Sequence, residues 1–261
     1  MIGELPPWPG TLEGGWEAVN DGKTFTVERS PGAEHRFIHG GRVLFHLSAD
    51  HRTLTGAPAE RRDLGWWRVL MDSVLFTVSL LRGHEALHAG AVATPDDAVA
   101  ILAVSGAGKS TLLGQLVREG HQLVTDDILA LTEKDGDVLA EPGPPLMTLP
   151  RARAAGVGTP VGEVAEEVWA SVPVVPGPVP LRRLVLLDRR PGAETAISRV
   201  ERPLAPLLAH LLKFPHTHER ELTRFLLAST VATHTEICRL TANRTTPPEQ
   251  LAALALGALS P

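Results

Sequence analysis

The segment Ala103-Val-Ser-Gly-Ala-Gly-Lys-Ser110 carries residues whose types and spacing suit phosphate chemistry. It follows the pattern G-x-x-x-x-G-K-[ST], with Ala103 where the pattern has its first Gly. Gly106 and Gly108 allow the backbone to curl so that successive N–H groups face one anion, and a following helix adds its positive end. Lys109 would reach the β- and γ-phosphates of a nucleotide, and the Ser110 hydroxyl would hold Mg²⁺. The full phosphate-binding set is Ser105, Gly106, Ala107, Gly108, Lys109, Ser110 and Thr111. A Gly-rich turn ahead of a helix is the bland alternative, and Lys-Ser placed after an apolar strand speaks against it. A second group of chemical residues, Asp126 and Asp127, follows Lys109 by 17 and 18 positions. One carboxylate of such a pair can coordinate Mg²⁺ while the other accepts a proton from an attacking hydroxyl. A third, His88, lies within an apolar run, where it would orient a phosphate or a catalytic carboxylate, or serve as a hydrogen-bonded core residue.

The elements around these residues explain how they could meet. Ala98–Val104 reads as a buried strand feeding the loop, and Ser110–Glu119 as the helix leaving it. Glu85–Ala93 is a strand joined to the loop strand by Thr94-Pro95-Asp96-Asp97, and Gln122–Thr125 is a buried strand ending in the two acids. If these strands flank the loop strand, His88, the loop and the acid pair gather at one sheet edge, where open α/β sheets bind ligands. Ile128–Leu131 and Asp137–Ala140 form a hairpin about Lys134-Asp135-Gly136. Residues 141–160, rich in Pro, Gly and Arg, read as a loop over a surface. Leu181–Asp188 and Thr235–Leu240 are further strands. Pro203–Lys213, Glu219–Ala228 and Pro248–Leu256 are helices, with Gly257 as the last stop. Ahead of all this, Thr24–Glu28, Arg36–His39 and Arg42–Leu47 read as short strands with a turn at Gly40-Gly41. Asp63–Arg82 reads as a helix with Trp67, Leu70, Val74 and Leu81 on its apolar stripe, stopped by Gly83. The chain therefore divides into a strand-rich segment over 1–82 and a catalytic domain over 83–261.

Composition narrows the class. The 261 residues are 43% hydrophobic with a net charge of −5, which suits a globular core and gives no reason to expect nucleic acid or a membrane as partner. The single cysteine, Cys238, excludes an internal disulfide and a cysteine-based zinc site. The first residues lack a basic start followed by an apolar run, so a cytoplasmic enzyme is expected. His84 and His121 have weaker claims to a role, His121 as a turn residue after Gly120. The pair His216-Thr-His218 lacks a third ligand at metal spacing. Arg151, Arg153, Arg182 and Arg183 are candidates for steadying a transferred phosphate, since the planar guanidinium matches phosphate oxygens.

Taken in order, "LHAGAV", "AVSGAGKSTLL" and "GHQLVTDDIL" resemble the catalytic domain of bacterial HPr serine kinase/phosphorylase and its shorter relatives, over about residues 83–131. The resemblance implies an α/β fold of the phosphoenolpyruvate-carboxykinase-like P-loop type with a mixed sheet. It implies Asp126 as general base, Asp127 as a Mg²⁺ ligand and His88 close to the base and the transferred phosphate; Lys109 and Ser110 carry over directly. ATP is implied as donor. The sequence departs from the family at Ala103, at Thr111 (an acidic position in the family), and at Glu141-Pro-Gly-Pro-Pro-Leu146, where a Glu-x-Arg-Gly signature would fall. These departures point away from HPr as acceptor and away from the reverse reaction. They bring the chain closer to small relatives that accompany peptide-modifying pathways, including those that phosphorylate a serine of lasso peptide precursors. The expected activity is ATP- and Mg²⁺-dependent transfer to a serine or threonine hydroxyl of a peptide. Assembly as a homo-oligomer stays open. A small-molecule kinase uses the same parts, and a non-catalytic nucleotide sensor is a third class. An ATP-binding-cassette subunit would need an LSGGQ-type signature, and a GTPase an N-K-x-D motif; neither is present.

Overall fold

A computed structural model describes residues 2–8, 12–20, 23–57, 64–164, 166–212 and 218–257. The chain forms two compact units, one of Met1–His84 and one of Glu85–Leu212 with His218–Pro261.

The first unit is an antiparallel meander of β1 (Gly14–Asn20), β2 (Lys23–Arg29), β3 (His35–His39), β4 (Arg42–Leu47) and β5 (Leu54–Gly56). Gly40 and Gly41 close the β3–β4 hairpin at φ 55° and 77°, a conformation that L side chains resist. One face buries Phe25, Val27, Phe37, Phe45 and Leu47 against Trp66 and Val74 of the following helix. That helix runs as α1 (Leu64–Val69), a π-helical stretch Leu70–Val74, and α2 (Leu75–Leu81), with Gly83 beyond it at φ 85°. Trp66 also fills the core, its ring centroid 4.7 Å from that of Phe45, while the expected stripe residues Trp67, Leu70 and Leu81 pack half-buried against it. Asp63, expected to open the helix, lies outside the described residues.

The second unit is built on a mixed sheet. Its elements are β6 (Glu85–Ala93), β7 (Ala98–Ala103), α3 (Lys109–Arg118), β8 (Gln122–Thr125), β9 (Ile128–Lys134), β10 (Asp137–Ala140), β11 (Leu146–Pro150), β12 (Thr159–Val164), β13 (Glu167–Ser171), β14 (Val179–Arg189), β15 (Ala196–Arg199), α4 (Leu204–His210), α5 (His218–His234), β16 (Glu236–Ala242) and α6 (Pro248–Leu256). The strand order is β10-β9-β6-β7-β14-β16-β15, with β8 pairing β6 next to β9. Both faces are covered, which is why the strands read as unbroken apolar runs. Along β7, Ala98, Ala100 and Leu102 face α4 and α5 through Leu207, Leu211, Leu227 and Val231. Val99, Ile101 and Ala103 face α3 and α6 through Leu112, Leu116 and Leu251. Among the described residues no helix is long and apolar enough to cross a membrane.

Two expectations change. The segment 141–160 is not simply a surface loop: Leu146–Pro150 is a strand of a separate three-stranded sheet ordered β11-β13-β12. Met147 and Leu149 are fully buried against the side of the unit that holds α3. Pro144, Pro145, Pro150 and Pro160 sit at the ends and edges of these strands, where a missing N–H costs nothing, and so hide the strand signal. The second change is in sheet order. β8 is not a neighbour of β7: β6 lies between them, and β14 takes the other side of β7 in parallel. Since β8 and β7 are each antiparallel to β6, both still end at the same edge.

Candidate functional site

The loop from Val104 to Gly108 leaves the end of β7, with Gly106 and Gly108 at φ 77° and 97°. Gly108 is the residue preceding α3, and Leu112 N–H bonds to its carbonyl at 3.0 Å. Val104, Ser105 and Gly106 form an exposed crown, Ala107, Ser110 and Thr111 are half-buried, and Lys109 is buried at 8% exposure. Ala103 is an inward-facing β7 residue packed among apolar side chains, a place where a methyl is accommodated.

The acid pair sits where β8 ends and β9 begins. Both strands pair with one edge of β6: Ala91 is opposite Thr125 and His88 opposite Ile128. Ala89 and Gly90 therefore face the two-residue bend that carries Asp126 and Asp127. A Cβ on Gly90 would stand 2.3 Å from the Asp126 carbonyl oxygen and 2.1 Å from Leu113 Cδ1, so only glycine allows the bend and α3 to close on β6 together. Lys109 Nζ donates to that carbonyl at 2.7 Å and to Asp127 Oδ1 at 2.6 Å. His88 Nδ1 lies 3.5 Å from Asp127 Oδ2, so the imidazole faces Asp127. His88, Lys109, Asp126 and Asp127 are thus brought together, with Ser110 beside Asp126.

The two carboxylates differ in surroundings. The Asp127 side chain is 47% exposed and shares its charge with Lys109. Asp126 turns inward. Its Oδ2 accepts the Thr148 backbone N–H at 2.8 Å, while Oδ1 is shut off from solvent with no partner among the described residues. Burial pushes its pKa up to about 6, with Lys109, the Thr148 N–H and Ser110 acting in the opposite direction and Asp127 adding to the rise. A buried carboxyl poised near neutral pH is a common property of acid–base groups. The Thr148 donor comes from β11, an edge strand whose outward N–H groups need a partner outside their own sheet.

The oxygen donors here, the Ser110 hydroxyl and the Asp127 and Asp126 carboxylates, are of the hard type that Mg²⁺ takes. Among the described residues no three His, Cys, Asp or Glu side chains converge as a metal cage.

Of the four arginine candidates, three are engaged elsewhere. Arg151 pairs with Glu163, Arg182 with Asp137 at 2.7 Å, and Arg183 with Glu236 at 2.6 Å. Arg182 and Arg183 also lie six or more residues before the end of β14, about 20 Å from the ligand edge. Arg153 has an exposed side chain with no acid partner among the described residues, and its carbonyl accepts from Arg118 at the end of α3. His121 is the expected turn residue, its Nδ1 3.2 Å from the Ala93 carbonyl oxygen. His216 lies outside the described residues. Three residues escaped sequence reasoning. Thr148 and Arg189 were hidden by distance along the chain, although Arg189 ends an apolar strand at the ligand edge, a usable signal. His210, at the end of α4, is close enough to His88 that burial, and then that neighbouring charge, hold its imidazole below its ordinary range.

No family model matches the chain. Among curated proteins it is similar to HPr kinase/phosphorylase of Bacillus licheniformis, 34% identical over 92 residues, or 35% of this chain and 30% of that protein. The enzyme of Clostridium botulinum of the same name is 28% identical over 91 residues, 35% of this chain and 29% of its own. The matched segment spans about 30% of the length of these relatives. The solved structure of the HPr(Ser) kinase/phosphatase from Coxiella burnetii aligns with 65% of this chain and 92% of its own, at TM-score 0.36 and 12% identity. The likeness in sequence to HPr kinase/phosphorylase is confined to the matched segment.

Proposed function

We propose that the protein is a kinase on the phosphoenolpyruvate-carboxykinase-like version of the P-loop fold. It moves the γ-phosphoryl group of ATP to a serine or threonine hydroxyl of a peptide, in the manner of the small relatives that modify peptide precursors. The observation that carries this reading is the arrangement at the β8–β9 bend. Lys109 bridges the Asp126 carbonyl and the Asp127 carboxylate at 2.7 and 2.6 Å, with the buried Asp126 carboxyl beside it.

In this reading the loop N–H groups and Lys109 cradle the β- and γ-phosphates. Lys109 then divides its charge between the nucleotide and Asp127. Ser110 and Asp127 hold Mg²⁺, which when bound offsets the phosphate charge. Once its buried Oδ1 is turned toward the acceptor, Asp126 takes the proton of the incoming hydroxyl, while the hydroxyl oxygen bonds to the γ-phosphorus and the bond to the β-phosphate oxygen breaks, leaving ADP. A carboxyl with a pKa of about 6 is ionised at neutral pH yet basic enough to hold that proton in the transition state. His88 orients Asp127, and through it Lys109.

The test is single-turnover transfer from γ-labelled ATP with Mg²⁺ to serine- and threonine-containing peptides, read by intact mass. The expected product is a phosphorylated hydroxyl residue, absent with Lys109→Ala. Label appearing only in a small molecule would replace the peptide acceptor. Transfer no faster than that of Lys109→Ala across all acceptors would overturn the kinase reading.

A further inference from the structure

The phosphate loop has two flanks. β7 feeds it, and the strand order β9-β6-β7-β14-β16 sets the acid pair on the β6 side and the ends of β14 and β16 on the other. β7, β14 and β16 are parallel, so their last residues share one edge. On that second flank Arg189, the last residue of β14, lies against the loop: its Nη1 is 3.0 Å from where a Cβ on Gly108 would stand. The guanidinium is fixed from behind. Nε donates to the Asn243 carbonyl at 3.3 Å, and Nη2 to the carbonyls of Arg244 and Thr246, in the turn that follows β16. These bonds occupy Nε and Nη2. Nη1 donates to nothing among the described residues.

Two more cations stand near it. Arg153 and Arg244 are close enough that their charges, after burial, press on the Arg189 guanidinium. The Arg153 backbone is tied to the last residue of α3: Arg118 Nη2 donates to its carbonyl at 2.8 Å and Arg118 Nε to that of Ala155 at 3.1 Å, so it is the long Arg153 side chain that comes near Arg189. Among the described residues none of the three guanidiniums pairs with an acid. Asp188, the nearest acid in sequence to Arg189, is taken by Arg190 and Arg239. Clamping the turn after β16 accounts for one face of Arg189. It does not account for the Nη1 that faces Gly108 of the loop, nor for two further cations near Arg189 that pair with no acid among the described residues, in a chain of net charge −5. Like charges held together repel, and an anion of several oxygens relieves them best, through the fork geometry of Arg.

We propose that Arg189, Arg153 and Arg244 form a seat for the phosphate farthest from the transferred one. This is the α-phosphate of a nucleoside triphosphate or the third phosphate of a linear polyphosphate. The inference rests on the phosphate-loop reading above and adds donor selection to it. The chain of phosphates runs from the acid pair, across the loop, to the arginines, so the site measures donor length by charge.

Calorimetric titration of Mg-ATP and Mg-tripolyphosphate, with Mg-pyrophosphate read by displacement of ATP, tests this on the full chain. Arg153→Ala/Arg244→Ala is the main variant, because both side chains are exposed; Arg189→Ala is second, since it also loosens the turn after β16. The double variant is expected to weaken ATP and tripolyphosphate about tenfold or more, and pyrophosphate by less than about twofold. Equal weakening of all three, or of none, overturns the seat. Weakening of ATP alone places the arginines on sugar or base and overturns it too. Lys109→Ala should weaken all three; if it does while the arginine variants change nothing, the phosphate loop stands and the seat falls. Wild-type protein that binds none of the three removes both.

Discussion

In the unfolded chain a carboxyl such as that of Asp126 releases its proton near 3.8; in the folded protein, burial holds it until about 6. Below pH 3.8 both states are protonated and the group is neutral in the balance. Between 3.8 and about 6 the unfolded chain ionises first, so stability falls as pH rises, and above that window the full penalty remains. The gap corresponds to about 3 kcal/mol. Asp126→Asn is therefore expected to stabilise the protein by up to about 3 kcal/mol near pH 8 and by almost nothing near pH 4. The same change removes the proposed base and should slow transfer about 10²-fold or more. Urea denaturation at the two pH values and single-turnover transfer measure the two halves. No gain near pH 8 would mean that Asp126 ionises without hindrance. Asp127 behaves differently. Its charge is half-exposed and shared with Lys109, so Asp127→Asn should change stability little and show instead as a higher Mg²⁺ concentration for half-maximal transfer. A stability gain from Asp127→Asn together with an unchanged Mg²⁺ requirement would reverse the roles of the two acids.

At the scale of elements, the site depends on how closely α3 and the β8–β9 bend approach β6, and Gly90 sets that distance. Gly90→Ala places a methyl against Leu113 and the Asp126 carbonyl, so one of them must move. The expected cost is about 1–3 kcal/mol, together with a loss of transfer because the acids shift from Lys109. Gly177→Ala, whose added Cβ meets nothing within 4 Å, is the control and should stay within about 0.5 kcal/mol. Equal, small effects of the two variants in urea denaturation would show that the bend tolerates the methyl. The same geometry explains which elements could be read from the chain. β6, β8 and β10 begin and end where apolar runs meet turn residues, and the loop, Lys109 and the acid pair lie within 25 residues of one another. Their relation is local, so spacing discloses it. The small sheet is different. Its strands are short and interrupted by prolines, and its contribution is a backbone N–H of Thr148, which any residue but proline would supply. Side-chain identity cannot announce such a donor. Arg189 was missed for a related reason: it reaches the loop through the parallel pairing of β14 with β7, a contact between segments some 85 positions apart. The order β8-β6-β7 was likewise invisible, because an apolar strand buried on both faces fits any interior position of a sheet.

At the scale of the whole molecule, each unit has a core of its own. The first closes Phe25, Val27, Phe37, Phe45 and Leu47 over Trp66 and Val74. The second has an apolar cluster on each face of its sheet, one with α4 and α5 and one with α3 and α6. Every residue assigned to chemistry or phosphate binding belongs to the second unit: His88, the loop from Ser105 to Thr111, Asp126, Asp127, and the arginines at 153, 189 and 244. Two clusters built around one sheet are the ingredients of an independently folding domain. A fragment of residues 85–261 is therefore expected to unfold cooperatively and to be stabilised by Mg-ATP, since a ligand of the native state adds RT ln(1 + [L]/Kd). Thermal melts of the fragment and of the full chain, with and without Mg-ATP, make the comparison, with Lys109→Ala in both as the zero point. A similar shift in the two places the whole donor site within the second unit. A fragment that melts cooperatively but no longer responds to Mg-ATP would show that residues 1–84 supply part of that site, and would move the search for donor contacts to the strand meander.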